Sequence, residues 1–134
     1  MTNKINNVQM ILSIIIPVYN EEKTVIEILK KIKDNQSNLF KYEIIVIDDG
    51  STDQARKLLE SNKNLYDKLL VNESNKGKGF SIKKGISNAS GTHIIFQDAD
   101  LEYNPADYNK FEKIFVDFDA DGIIGSRFVY SNYT

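Results

Sequence analysis

The 134-residue chain contains no cysteine. Disulfides, thiolate catalysis and zinc centres built on Cys are therefore excluded, which fits a reducing compartment. An excess of positive charge is also missing. Seventeen Lys and Arg stand against nineteen Asp and Glu, for a net charge of −2. No nucleic-acid partner is expected, because such a partner calls for a strong positive field. No apolar run approaches the ~20 residues of a transmembrane helix, so any membrane contact is expected to be peripheral. The apolar run over residues 10–18 is broken by Ser13 and Pro17, and no small-residue cleavage site follows it. A signal peptide is not expected from that pattern, and a cytoplasmic location is, at most at the cytosolic face of a membrane. Internal repeats, low-complexity tracts and linkers are lacking too. With 41% hydrophobic and 27% charged residues, the remaining class is an ordinary globular domain able to bury one core.

What is present is an alternation of two hydrophobic periods. Residues 12–18 and 42–48 are continuous β-branched apolar blocks, the signature of strands buried on both faces. Weaker strands are expected over 67–72, 92–98 and 122–126. Between them, residues 22–34 carry apolar positions at Val25, Ile28, Leu29 and Ile32, the stripe of an amphipathic helix. Further helices are expected over 53–61, with Asp53 as N-cap, over 78–88, and from Pro105 to about 118. Strands alternating with helices predict an α/β fold, a mostly parallel sheet covered by helices on both faces. Residues 1–11 read as an N-terminal extension and 12–134 as the domain. A parallel strand is normally followed by a crossover. None follows the fifth strand, so the domain is expected to be incomplete at its C-terminus.

In open α/β sheets ligands bind beyond the carboxyl ends of the strands, and polar or Gly-rich residues collect at each such end. The fourth strand delivers Asp98-Ala99-Asp100, two carboxylates flanking one small residue. Such hard oxygen donors suit Mg²⁺ or Mn²⁺, with phosphate oxygens and water completing the shell. Glu102 continues the acidic run. A bare pair of this kind is also a common turn; its strand-end position favours the metal. The second strand delivers Asp48-Asp49-Gly50, with Asp49 suited to accept hydrogen bonds from a base or ribose. Asn75-Lys76-Gly77-Lys78-Gly79 offers backbone N–H groups and Lys78 to a diphosphate at a helix N-terminus. It fails the dinucleotide fingerprint, since Ile82 stands where a third Gly is needed, and it lacks the Gly-Lys-Ser/Thr of a P-loop. Arg127 carries a planar fork suited to phosphate. His93, inside a strand pattern, reads as structural; Phe111, Phe115 and Phe118 read as core; Lys30, Lys31 and Lys33 read as a solvated helix face.

Taken together, these segments resemble the nucleotide-binding half of family 2 glycosyltransferases, which have the Rossmann-like GT-A fold. The matching pieces are Ile16-Pro17-Val18-Tyr19-Asn20-Glu21-Glu22, Val46 to Asp53, Asn75 to Gly79, Gln97 to Asp100 and Gly125-Ser126-Arg127. Asp98 to Glu102 and the Gly-Ser-Arg element most resemble the polyprenyl-phosphate (dolichyl-phosphate type) mannosyl- or glucosyltransferases. The resemblance implies an inverting enzyme that moves a sugar from a UDP- or GDP-linked donor to an acceptor such as a polyprenyl phosphate. It implies donor-nucleotide contacts at Pro17, Tyr19, Glu21, Asp48 and Asp49, beside the Lys78 already read as a diphosphate contact, and metal ligation by Asp98, Asp100 and Glu102. Arg127 is implied near a donor or acceptor phosphate, and no general base is assigned. Two alternatives stand beside this reading. One is a nucleotide- and metal-binding module without transferase activity. The other is a sugar nucleotidyltransferase, which would carry a Gly-rich basic loop where Pro17-Val18-Tyr19-Asn20-Glu21 stands.

Overall fold

The computed structural model describes residues 10–35, 37–100, 105, 108 and 122–124. Five strands form one sheet in the order β3-β2-β1-β4-β5, and every pairing is parallel. They are β1 (Met10–Val18), β2 (Phe40–Asp49), β3 (Lys68–Asn72), β4 (His93–Phe96) and β5 (Gly122–Ile124). Among the described residues the continuous helices are α1 (Val25–Asp34), α2 (Ala55–Glu60) and α3 (Lys78–Ser87), with a 3₁₀ turn at Lys63–Leu65 that the sequence pattern did not disclose. The expected helix after Pro105, with Phe111, Phe115 and Phe118, falls mostly outside the described residues.

The two long apolar blocks are buried on both faces, as their composition requires. Ile14, Ile16, Ile44 and Val46 face the stripe of α1, Val25, Ile28, Leu29 and Ile32, together with Ala55 and Leu59 of α2. The alternate positions Ile15, Ile45 and Ile47 form a second cluster with Leu70, Ile94 and Phe96. That second face is covered by α3, whose own buried residues, Ser81 and Gly85, are small. A Cβ on Gly85 would meet Ile15 Cγ2 at 2.6 Å, so only glycine lets the helix sit this close to the sheet. Each fully buried Ile or Leu contributes about 1.5–3 kcal/mol, and the eleven largest fully buried side chains are, Tyr108 apart, Ile and Leu. These two layers, more than helix propensity, hold the short helices in place.

The amino ends of the strands are closed by a polar knot. Glu43 accepts hydrogen bonds from Ser13 Oγ at 2.6 Å, from the Ser90 N–H at 2.9 Å and from Ser90 Oγ at 2.7 Å, with Lys68 Nζ at 3.5 Å. Burial alone would raise the Glu43 pKa. The hydrogen bonds from Ser13 and Ser90 and the charge of Lys68 overcome it and bring the group down from 4.5 to about 2. His93 stacks edge-on against Phe40 with ring centroids 5.1 Å apart, in keeping with the structural role expected of it. Lys30, Lys31 and Lys33 are exposed on α1, also as expected.

Strand order determines where a ligand can sit. From β1 the chain moves outward through α1 and α2 to β2 and β3, then returns through α3 to β4 on the other side of β1. The loops leaving β1 and β4 therefore diverge and open a crevice at the switch point.

Candidate functional site

A cleft of about 560 Å³ opens at that switch point. It is lined by Pro17, Val18, Tyr19 and Glu21 after β1, Asp49 at the end of β2, Asn75, Gly77 and Lys78 before α3, and Asp98, Ala99 and Asp100 after β4. Of the residues expected at a donor site, the fold thus gathers Pro17, Tyr19, Glu21, Asp49, Lys78, Asp98 and Asp100 around one space. Tyr19 leaves 44% of its surface open there. Glu102 and Arg127 lie outside the described residues.

Asp48 is placed differently from the expectation of a nucleotide contact. It is fully buried and does not line the cleft. Oδ2 pairs with Arg56 Nε at 2.8 Å, and Oδ1 accepts the Ser51 N–H at 3.1 Å. The cause is strand alternation: consecutive side chains point to opposite faces, so of two adjacent acids only one turns to the cleft.

Asp49 is that one, yet its carboxylate is occupied within the protein. Oδ1 accepts the Lys76 N–H at 2.7 Å and Asn72 Nδ2 at 2.9 Å; Oδ2 accepts the Gly77 N–H at 3.0 Å and Asn75 Nδ2 at 3.2 Å. Asn72 is itself buried, held by Ser81 Oγ at 3.0 Å and Lys84 Nζ at 2.9 Å. The loop before α3 is therefore hung from the tip of β2. Gly50, at φ +71°, permits this approach, because a Cβ there would lie 2.5 Å from the Asn75 nitrogen.

A second clamp joins the loops after β1 and β2. Asn20 adopts φ 54°, a left-handed conformation that Asn tolerates better than most residues. Its Oδ1 accepts the N–H groups of Thr52 at 2.7 Å and Asp53 at 3.2 Å, and its own N–H donates to Ser51 Oγ at 3.0 Å. Glu22 and Asp53 exchange contacts beside it: the Glu22 N–H donates to Asp53 Oδ2 at 3.1 Å, and the Gln54 N–H donates to Glu22 Oε1 at 2.9 Å. Asp53 Oδ1 also accepts the Ala55 N–H at 2.9 Å and braces the β1 loop besides; the N-cap of α2 is Gln54 and not Asp53 as expected, because the helix begins at Ala55, one residue later than an Asp53 cap requires. Asn20, Arg56 and Asn72 were not legible as site residues. The only sequence signal was the presence of Asn next to acidic strand ends.

The Asp98-Ala99-Asp100 turn is fixed from two sides. The Ala99 carbonyl accepts Thr24 Oγ1 at 2.6 Å, and the Asp98 carbonyl accepts Gln97 Nε2 at 3.0 Å. Gln97 is buried and takes a hydrogen bond from Tyr108 OH. Asp98 is paired across the cleft with Lys78. Among the described residues no third carboxylate or His joins Asp98 and Asp100. The donor set still fits a divalent cation of the Mg²⁺ or Mn²⁺ kind, which binds through one or two carboxylates and takes its remaining oxygens from phosphate and water. Asp98 already holds a cation, the Lys78 ammonium. Among the described residues no helix is long and apolar enough to cross a membrane.

Residues 13–134 match the family model described as glycosyl transferase family 2. The dolichyl-phosphate beta-glucosyltransferase of Dictyostelium discoideum is 36% identical over 123 residues, covering 84% of this chain and 37% of that protein. Among solved structures, residues 1–349 of TarS from S. aureus in complex with UDP-GlcNAc superpose with a TM-score of 0.68 at 30% identity, over 81% of this chain and 32% of that one. The mannosyltransferase PcManGT from Pyrobaculum calidifontis, in complex with GDP-Man and Mn²⁺, shares the fold with a TM-score of 0.66 at 24% identity, over 81% and 33% of the two chains. The chain spans between 31% and 50% of the length of the first curated relatives it matches.

Proposed function

The chain belongs to glycosyl transferase family 2, and from that membership we propose that its cleft holds the nucleoside diphosphate of a sugar donor for transfer to an acceptor. The observation that carries this reading is the facing pair Lys78 and Asp98. A cationic side chain at a helix N-terminus and a carboxylate turn look at each other across one cleft at the sheet's switch point.

Each wall has a chemical task. The N-terminus of α3 and the Lys78 ammonium attract the diphosphate. Asp98 and Asp100 would hold Mg²⁺ or Mn²⁺, and Glu102 is assigned to the same ion. The cation, when bound, supplies charge neutralisation for the departing nucleoside diphosphate. Pro17, Tyr19 and Glu21 border the nucleotide, with the open Tyr19 ring offered to it. Asp49 has all its acceptor positions filled and serves the nucleotide by holding the 75–77 loop; Asp48 supports it from below. Arg127 is assigned to a donor or acceptor phosphate.

The acceptor proposed is a polyprenyl phosphate, the class named in the dolichyl-phosphate relative. A lipid phosphate is already anionic and attacks without a general base. Attack opposite the diphosphate inverts the anomeric carbon. Such an acceptor places the protein against a membrane surface as a peripheral partner, on the cytosolic side.

The test is calorimetric titration of UDP and GDP with and without Mn²⁺, followed by an assay of transfer from UDP-glucose and GDP-mannose to a polyprenyl phosphate. Metal-dependent binding of one nucleotide, lost in a folded Asp100→Ala variant, is expected. Equal affinity in that variant sinks the metal assignment. Binding without transfer leaves a nucleotide- and metal-binding module in place of the enzyme.

A further inference from the structure

Lys78 and Asp98 make an ion pair although the proposed function gives each of them a different partner. Lys78 is the first residue of α3, and its side chain is 58% exposed; that of Asp98 is 22% exposed. The Lys78 ammonium therefore occupies Oδ1, one of the two oxygens that Asp98 would offer a divalent cation. Two cations cannot share that carboxylate at contact distance without strong repulsion. Backbone motion is an unsuitable escape on either side. Gly77 is tied through its N–H to Asp49 Oδ2, and the carbonyl of Ala99 is tied to Thr24. The side chain of Lys78, by contrast, has four rotatable bonds and open solvent around it. The diphosphate proposed for the same cleft offers it a replacement anion.

We infer that Lys78 is an internal counter-ion of the donor site. It occupies Asp98 while the cleft is empty, and it passes to the donor diphosphate as the divalent cation takes Asp98. Cation and nucleotide then load with positive coupling beyond their direct contact, and the coupling is reciprocal. The exchange also keeps Asp98 from standing as an unpaired carboxylate between donors. This inference rests on the donor-site reading above.

The decisive measurement is the affinity for Mn²⁺, read from the electron paramagnetic resonance of the free ion at constant ionic strength. It is made with no nucleotide and again with saturating UDP or GDP. Lys78→Gln is expected to bind Mn²⁺ alone three- to tenfold more tightly than the wild type, and to bind the nucleotide without metal at least threefold more weakly. Lys78→Arg, which preserves an ion pair, is expected to stay near the wild type. Lys76→Gln removes the same charge from a side chain that lies over Phe80, 6.0 Å from the ring centroid, and is expected to change Mn²⁺ affinity less than twofold. Equal effects of the Lys76 and Lys78 substitutions would reduce the result to a general field and overturn the inference. So would unchanged or weaker Mn²⁺ binding in Lys78→Gln alongside clear binding by the wild type. Failure of every form to bind Mn²⁺ under any condition overturns the donor-site reading itself, and this inference with it.

Discussion

Asp49 receives the backbone N–H of Gly77 at 3.0 Å, and this contact between the tip of β2 and the residue before α3 sets the geometry of the cleft. Three further donors, from Asn72, Asn75 and Lys76, share the same carboxylate. The charge on Asp49 is thereby satisfied internally, and the positive end of α3 is held at the edge of the cleft.

Asp49→Asn should separate this role from a direct ligand contact. The amide keeps one acceptor oxygen and turns an NH₂ towards N–H donors on the other side. Stability is expected to fall by about 1–3 kcal/mol, with the amide protons of Lys76 and Gly77 exchanging faster. Nucleotide affinity should drop in parallel. Urea unfolding and hydrogen exchange read the first two effects, and unchanged exchange at those two amides would contradict the anchoring role.

Arg56→Ala leaves the fully buried Asp48 without its cation. Losing one partner of a buried pair typically costs 3–5 kcal/mol. Because the Arg56 side chain is 37% exposed, water can replace part of the interaction, and a loss of about 2 kcal/mol is expected in denaturant unfolding. Arg56→Lys should recover only part of it, since a single ammonium does not reproduce both the Nε contact to Asp48 and the NH2 contact to the Asn72 carbonyl.

Acid should act through Glu43. Its folded pKa of about 2 lies below the ordinary 4.5, so its contribution is complete above about pH 4.5 and fades as the pH falls towards 2. The linkage amounts to about 3 kcal/mol. Glu43→Gln is expected to be less stable than the wild type at pH 7, with the gap narrowing below pH 4.5. Chemical denaturation at pH 7, 4 and 3 measures this, and a gap that stays constant with pH would refute it.

Asn20 offers a paired test of backbone and side chain. Asn20→Gly keeps the left-handed backbone but loses the Oδ1 bonds to Thr52 and Asp53; Asn20→Ala loses both. Ala is expected to be the less stable by about 1 kcal/mol. If thermal unfolding places the two variants level, the positive φ contributes nothing and the clamp is purely a matter of hydrogen bonds.

Gly50→Ala forces a Cβ to within 2.5 Å of the Asn75 nitrogen at a positive φ. A loss of about 2 kcal/mol or more is expected, together with weakened nucleotide binding, because the 75–77 loop must move away from Asp49. Wild-type stability in this variant would show that the loop has room the structure does not display.

The sequence by itself determined the class of fold, because hydrophobic period is a local property. Ile14 to Val18 and Ile44 to Ile47 could only be strands buried on both faces, and the spacing of Val25, Ile28, Leu29 and Ile32 could only serve a helix lying on them. It also pointed to the strand ends that line the cleft, since Asp98, Asp100 and Asp49 are visible without coordinates. What only the tertiary structure decided is how those ends are used. Strand order is set by long-range pairing, and that order placed β4 beside β1 and brought Lys78 opposite Asp98, twenty residues away along the chain. The pleat of β2 turned Asp49 to the cleft and buried Asp48 against Arg56, a distinction that two adjacent identical letters do not contain. The braces at Asn20, Asn72 and Thr24 were equally silent, because a hydrogen bond between loops depends on distance and direction in space. The Asp98-Ala99-Asp100 turn and Lys78 were each evident from the start; the ion pair between Lys78 and Asp98 was not.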